Sequence, residues 1–565
     1  MLSIRKIGVF GRTYRHLNRY RQILTILFRY GFGDLVETLN IDQYIEIGLQ
    51  VISKKPRRRL EKISRARRVR MIFEELGSTF IKLGQVLSAR PDLIAPDFIK
   101  ELSQLQDDVP PFGFAAAREI IESELKKPLT SLFESIEAVP LASASIAQVH
   151  KARLPDGEVV AVKVQRPGIR KMVEVDIEIM LHLATLAERH VAELSFHQPV
   201  RIVQEFAKTL EKELDFTIEA VSMERVARNF LSDATLYVPK VYQELTTDRI
   251  LVIEHVDGIK ITKIEQLDQS GCDRRTITRR GADILLRQIF DHGFFHADPH
   301  PGNIFVLPQN VICLLDFGMV GTVDRGTRED FVELVDSVLN QDESRTVNVL
   351  LRLTSWEKEP DLRELKKDVS AFIGQHLYKT LKEIELGKLL HQLLEISSVH
   401  QLRIYPDIFL MMKAIVTVEG VARYLDPDFD MLEQAAPFIR RVKLARFTPK
   451  RIERDLADIA GQALRFIKDF PGDILEITRL IKQRNLSLRH NVEGLDKMLH
   501  THDQISNRIA FAIIIGALII GSAMIVISNT PPLFYGISLI GIIGFLAAAV
   551  MGVWLLIAII KKGRL

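Results

Sequence analysis

The sequence predicts an α+β fold of two lobes, a small β-rich lobe followed by a large helical one. A helical extension precedes them and a transmembrane helical hairpin follows. Three observations predict this. Residues 147–164 hold two β-rich runs around a Pro-Asp-Gly turn. Apolar residues at helical spacing dominate the segments on either side. Two long charge-free runs lie near the C-terminus. The length of 565 residues calls for several structural units, and 47% apolar with 26% charged residues is the balance of a folded chain. Cys272 and Cys313 have no partners at disulfide or zinc spacing and read as thiols in a reducing compartment.

The expected organisation is a basic amphipathic extension (1–70), a helical extension (71–135), a β-rich lobe with an insertion (136–258), a helical lobe (259–445), a helical linker (446–507) and the membrane hairpin (508–565). Residues 1–70 hold 17 Lys/Arg against 5 Asp/Glu, a local net of +12 in a chain whose total is +4. The densest run, Lys54-Lys55-Pro56-Arg57-Arg58-Arg59, continues through Lys62, Arg65, Arg67, Arg68 and Arg70. It fits a solvated face or an anionic lipid surface, with nucleic acid the weakest reading; no nucleic-acid partner is expected. Upstream, Leu24, Ile26, Leu27, Phe28, Leu35 and Val36 form helix-spaced apolar stripes.

Phe80 to Asp92 reads as a helix stopped near Pro91. Lys82 and Gln85 share a face of it, either as a polar edge or as a pair pointed into a cleft. Next come two strands, Ala147–Leu154 and Glu158–Val164, joined by Pro155-Asp156-Gly157. Lys163 ends the second strand after the small-residue loop Leu141-Ala142-Ser143-Ala144-Ser145-Ile146-Ala147-Gln148-Val149. This is the layout of a kinase nucleotide site, where the lysine holds the α/β-phosphates and an acid fixes the lysine. The loop contains no glycine and should be stiffer than a glycine-rich one. Glu219, on the helical stretch 204–228, is the acid expected to meet Lys163, so an insertion must separate strand and helix. Arg249–Gly258 reads as a core strand in the hinge position.

The strongest signal is His296-Ala297-Asp298-Pro299-His300-Pro301-Gly302-Asn303 followed by Asp316-Phe317-Gly318. Asp298 and Asn303 have the spacing of a kinase catalytic loop, and Asp316 follows an apolar strand. One carboxylate must orient the nucleophile, while an amide and a second carboxylate hold Mg²⁺ against the phosphates. These pieces place an atypical protein-kinase-like arrangement on the two lobes. After Asp316 a helical pattern resumes by Arg328, leaving little chain to support a peptide substrate.

Taken together, these residues resemble the UbiB family of atypical kinase-like proteins, regulators of bacterial ubiquinone biosynthesis. Lys82-Leu83-Gly84-Gln85 resembles the family's KxGQ motif, Leu141–Val149 its alanine-rich loop and Glu213-Leu214-Asp215 its ExD motif. Glu219 is similar to its lysine-pairing glutamate, and Asp298, Asn303 and Asp316 to its catalytic and metal-binding positions. The resemblance covers roughly residues 60–440. It implies a KxGQ segment lying over the substrate cleft, with Glu213 or Asp215 as ion partners of Lys82. It also implies ATP and Mg²⁺ binding, ATPase activity rather than protein phosphorylation, and action through lipid intermediates or biosynthetic enzymes. A homodimer is compatible with the sequence.

At the C-terminal end, Ile509–Ile527 is 19 residues without a charge and 533–560 is 28 more. The first spans about 28 Å as a helix, close to a bilayer core. Residues 528–532 form a turn between them, and Tyr535 and Trp554 sit as interface anchors. Ala517 and Gly521 have the spacing of a helix-packing pair. Arg508, Lys561, Lys562 and Arg564 place both flanks in the cytoplasm by the positive-inside rule, giving a multi-pass protein of the bacterial inner membrane with its catalytic domain in the cytoplasm. The expected function is a membrane-anchored, kinase-like ATPase. Its alternatives are a phosphotransferase acting on a small molecule or lipid, and a non-catalytic, nucleotide-gated lipid-binding scaffold.

Overall fold

The computed structural model describes residues 14–34, 63–88, 90, 93–105, 109–191, 198–356, 359–376, 385–445, 495–528, 531–534 and 537–562. The basic run 54–62, Leu35, Val36, Pro91, Tyr535, Arg564 and most of the linker 446–507 lie outside them. The chain divides into two compact units, Met1–Glu453 and Arg454–Leu565.

In the first unit, helix α1 (Tyr14–Arg29) buries Ile23, Leu24 and Ile26. Arg19 Nε donates to Asp176 Oδ1 at 2.7 Å and its Nη2 to the carbonyl of Leu76. Of the expected apolar stripe, Leu24 and Ile26 are therefore part of the core, with Leu27 and Phe28 packed partly buried against it. Helix α2 (Arg65–Leu76) starts at Ser64, whose hydroxyl accepts from the Arg67 amide at 3.2 Å. Helices α3 (Ser78–Ser88) and α4 (Pro96–Leu102) complete the extension, and α5 (Phe114–Leu125) leads into the small lobe.

Strands β1 (Ser135–Ile136), β2 (Ala142–Ser143), β3 (Ala147–Arg153) and β4 (Val159–Gln165) form an antiparallel sheet that β6 (Ile250–Glu254) completes. The β3–β4 turn holds Gly157 at φ +91°, a backbone region that glycine enters without strain. Alternation along β4 decides the site. Val160, Val162 and Val164 pack with Ile250 and Val252 against α5, which turns Lys163 to the opposite face, over the cleft.

The expected insertion is helices α6 (Ile169–His190) and α7 (Pro199–Glu213), followed by α8 (Phe216–Asn229). A second sheet runs β5 (Leu236–Tyr237), β10 (Val311–Leu314), β9 (Ile304–Leu307), β7 (Ile259–Lys260), and a separate pair joins β8 (Phe294–His296) to β11 (Val320–Thr322). The large lobe comprises α9 (Arg274–Arg287), α10 (Arg325–Leu339), α11 (Glu343–Arg352), α12 (Leu362–His376), α13 (Leu386–Val399), α14 (Pro406–Leu425) and α15 (Met431–Ala445). Asp273 and Asp324 cap α9 and α10. Helix thus resumes at Arg325, three residues before the expected point.

Gly321 pairs with Phe295 across β11–β8, and a β-carbon there would come within 2.2 Å of the Phe295 ring. Phe295 is fully buried and cannot swing out. Gly321→Val is expected to cost about 1–3 kcal/mol by overpacking, read as a lowered urea midpoint at unchanged slope.

In the second unit, α16 (Leu495–Ile527) and α17 (Leu539–Lys562) form a hairpin. Ile509–Ile527 is the one helix among the described residues long and apolar enough to cross a membrane; the apolar stretch Leu539–Leu555 of α17 is shorter. The second run is not helical from Leu533, because Leu533–Phe534 pairs with Ile537–Ser538 before α17 begins. The close helix contact is also not at Gly521, which has open space around it. It lies where Gly541 and Gly544 of α17 meet Ser522 and Val526 of α16.

Candidate active site

Lys163 Nζ donates to Glu219 Oε1 and Oε2 at 3.0 and 2.9 Å and to Asp316 Oδ1 at 3.2 Å. Three separate elements deliver these groups. Lys163 comes from β4. Asp215 caps α8 by accepting from the Thr217 amide at 3.0 Å, and that fixed start places Glu219 in the first turn. Phe216, also in that turn, lies under the ammonium, 5.3 Å from ring centre to Nζ. Asp316 follows β10 with φ +57°, a left-handed backbone that Asp tolerates better than most residues and that recurs at functional sites.

Burial alone would favour a neutral Lys163, but the Asp316 and Glu219 carboxylates outweigh it and push its pKa up. Lys163, together with Lys82, holds Asp316 well below the usual carboxylate range. Glu219 lies behind them, and burial raises it to about 7 against the pull of Lys163. The charged pair in the open cleft is therefore Lys163 with Asp316, whose side chain is 52% exposed.

The catalytic-loop positions are held by a histidine. His296 is buried against Phe317, with ring centroids 5.0 Å apart. Its Nδ1 accepts from the Asp298 amide at 3.1 Å, so its Nε2 carries the proton and donates to the Leu315 carbonyl at 3.2 Å. One ring thus couples the backbone of Asp298 to that of the residue before Asp316. Asn303 sits in the 3₁₀ turn Pro301–Asn303, and its carbonyl accepts from the Leu315 amide at 2.9 Å. Asp298, Asn303 and Asp316 are therefore neighbours around one backbone junction.

The donor set at Asn303 and Asp316 fits Mg²⁺. No group of three or more His, Cys, Asp or Glu that could cage a metal occurs among the described residues. One half-exposed carboxylate and an amide suit a hard cation that keeps waters and takes its remaining ligands from phosphates.

The alanine-rich segment is a tight hairpin. Ala142 and Ser143 pair with Val149 and Gln148, and the Ala144 amide donates to the Ala147 carbonyl at 2.8 Å. Arg166, not anticipated from the sequence, ties it down. Its Nε donates to the Ala144 carbonyl at 2.8 Å and its Nη2 to Ser143 Oγ at 2.8 Å, while its amide donates to the Ile146 carbonyl. Gln148 does not face the cleft with its side chain. Its Oε1 accepts from the Phe112 amide at 3.1 Å and its Nε2 donates to His150 Nε2 at 2.8 Å. Ser145 Oγ is fully buried with no hydrogen-bond partner among the described residues. Arg166→Ala also removes the Nη2 bonds to the Val109 and Pro110 carbonyls and is expected to cost about 1–3 kcal/mol, checked by chemical denaturation.

Lys82 of α3 reaches Glu213 at 3.4 Å. Asp215, the other acid expected there, accepts from the Thr217 amide and hydroxyl through Oδ1 as the cap of α8. Gln85 donates to the Leu105 carbonyl at 3.4 Å and latches α3 to its own extension. Gly84 permits that packing, since a β-carbon would lie 2.3 Å from Leu105 and 2.8 Å from Phe73. The end of the extension touches the helical lobe, with Arg90 stacked 5.4 Å over Phe409 of α14.

A second residue missed from sequence is Lys413 on α14, whose Nζ donates to Asp298 Oδ1 at 2.8 Å. Burial would raise Asp298, but Lys413, with smaller help from His296 and His300, holds it below its ordinary value.

Comparison with known proteins agrees with this architecture. The ABC1 atypical kinase-like domain matches residues 104–350, the UbiB helical domain 369–430 and the ABC1/UbiB kinase-like C-terminal domain 493–561. A protein of Cellvibrio japonicus named probable protein kinase UbiB is 34% identical over 460 residues, 80% of this chain and 82% of the relative. One of the same name from Aeromonas hydrophila is 31% identical, covering 94% of this chain and 97% of the relative. An uncharacterised protein of Clostridium pasteurianum, encoded in the hydrogenase 1 5′ region, is 31% identical over 97% of this chain and 99% of its own length. With three domain matches in the right order and full-length relatives on both sides of the kinase-like core, the chain belongs to the ABC1/UbiB family of atypical kinase-like proteins.

Proposed function

We propose that the chain is a membrane-anchored, kinase-like ATPase that supports or regulates ubiquinone biosynthesis. The observation that carries the reading is the ionic triad of Lys163, Glu219 and Asp316, with Asp298 tied to the residue before Asp316 through the His296 ring. Lys163 holds the α- and β-phosphates of ATP, and Glu219 orients it. The Leu141–Val149 hairpin closes over the nucleotide through its backbone rather than through the Gln148 side chain. Asn303 and Asp316 are the residues that hold Mg²⁺, which neutralises phosphate charge when bound. Asp298, kept ionised by Lys413, orients a water for attack.

Two features favour water over a peptide as acceptor. Nine residues, Asp316 to Asp324, connect the metal-binding carboxylate to the cap of α10, and three of them are fixed in β11. The Lys82 helix lies close enough for its charge to act on Asp316. The apolar run 509–527 anchors the chain in the bacterial inner membrane, with the shorter apolar helix α17 packed against it, and the catalytic unit lies in the cytoplasm. Membrane lipids and prenylated quinone intermediates, or the enzymes that make them, are the partners this reading calls for.

The test is phosphate release by the full chain from Mg-ATP, with and without anionic vesicles containing a prenylated phenol. Release stimulated by the vesicles supports the reading. Transfer of the phosphoryl group to the phenol favours the phosphotransferase, and nucleotide binding without release favours the scaffold.

A further inference from the structure

Transfer or hydrolysis of a terminal phosphate requires cations on its oxygens, because negative charge is concentrated there. The catalytic loop offers no fixed one. Between Asp298 and Asn303 it reads Pro299-His300-Pro301-Gly302, and the His300 ring is engaged as an acceptor, taking the Gly302 amide at 3.2 Å. Lys163 is held by Glu219 and Asp316, and Lys82 is held by Glu213.

Lys413 remains. It is carried by α14, whose neighbouring residues Met411, Met412, Ala414 and Ile415 are buried in the core, so the backbone that presents it is rigid. Its ammonium contacts Asp298 while staying partly open to the cleft: the Lys413 and Asp298 side chains are 27% and 40% exposed. An isolated ion pair of that exposure contributes little to stability. Its placement beside the carboxylate that must face the transferred phosphate is the informative feature. A bare carboxylate there would repel a triphosphate. A carboxylate paired with an ammonium presents donors to the phosphate and an acceptor to water.

We propose that Lys413, contributed by the helical segment beyond the kinase-like core, is a substrate-contacting residue that binds the terminal phosphate of the nucleoside triphosphate while pairing with Asp298. The proposal rests on the nucleotide reading above. It makes the 369–430 region part of the active site.

The test compares full-length wild type, Lys413→Met and Lys413→Arg for equilibrium binding of Mg-ADP and of a non-hydrolysable Mg-ATP analogue. Lys413→Met should weaken the triphosphate by about tenfold or more, the loss expected for a charge-assisted hydrogen bond, and leave ADP within about threefold. Lys413→Arg should restore most of the triphosphate affinity. The unchanged ADP affinity shows that the variant is folded, and the Arg variant provides a second comparison if Met disturbs α14. Equal effects on ADP and the triphosphate, or none, overturn the proposal while leaving the nucleotide reading standing. Wild-type protein that binds neither nucleotide overturns both.

Discussion

Lys163→Met is expected to weaken Mg-ATP binding by at least about tenfold and to lower stability at the same time. The ammonium makes three contacts, two with Glu219 and one with Asp316. Removing it deprives the phosphates of their fixed cation. It also leaves two carboxylates facing each other, one of them only 5% exposed. Breaking a buried ion pair from one side costs about 3–5 kcal/mol. Glu219 limits that loss by taking up a proton, since its carboxyl already lies at about 7. The double variant Lys163→Met/Glu219→Gln should therefore recover stability without recovering nucleotide. Urea denaturation and nucleotide titration of the three proteins separate the two effects. Recovery of binding in the double variant would show that Lys163 acts only on the fold.

Asp298→Asn should do the opposite, keeping the nucleotide and losing turnover by about 10²–10⁴-fold, the range for a positioned acid–base group. Asparagine preserves the shape beside Lys413 and the backbone bond to His296, so the lobe should remain folded. It removes the negative charge that opposes the phosphates, so Mg-ATP affinity should hold or tighten. A nucleotide-gated scaffold predicts instead that Asp298→Asn keeps full function in the membrane and that Lys163→Met alone abolishes it. Single-turnover phosphate release, beside direct binding, distinguishes the two.

The parts of this site visible in the sequence are those written within one short segment. Lys163 was legible because a β-rich alternation and a Pro-Asp-Gly turn identify its strand. Asp298, Asn303 and Asp316 were legible because their spacing across a strand–turn junction is rare. Lys413 was not, because a single lysine in a mostly apolar helix gives no hint that it faces a loop 115 residues away. Arg166 was hidden for a related reason. Its partners are mainly backbone carbonyls, those of Ala144, Val109 and Pro110, which every residue supplies and no motif marks. The sequence marks Asp215 only as a candidate ion partner of Lys82, not as a helix cap. Its position two residues before Thr217 at the head of α8 makes its Oδ1 the cap. In the C-terminal unit, spacing within one helix pointed to Ala517 and Gly521, but the tight contact depends on which face meets the other helix. That is decided by Gly541 and Gly544 against Ser522.

The most direct test of the central claim is the fate of the terminal phosphate of labelled Mg-ATP incubated with the full-length protein in anionic vesicles. Hydrolysis at the Lys163–Asp298 cleft predicts that the label appears as inorganic phosphate with the wild type and stays on ATP with Asp298→Asn. Label recovered on a lipid or on the protein, or equal release by the variant, would contradict it.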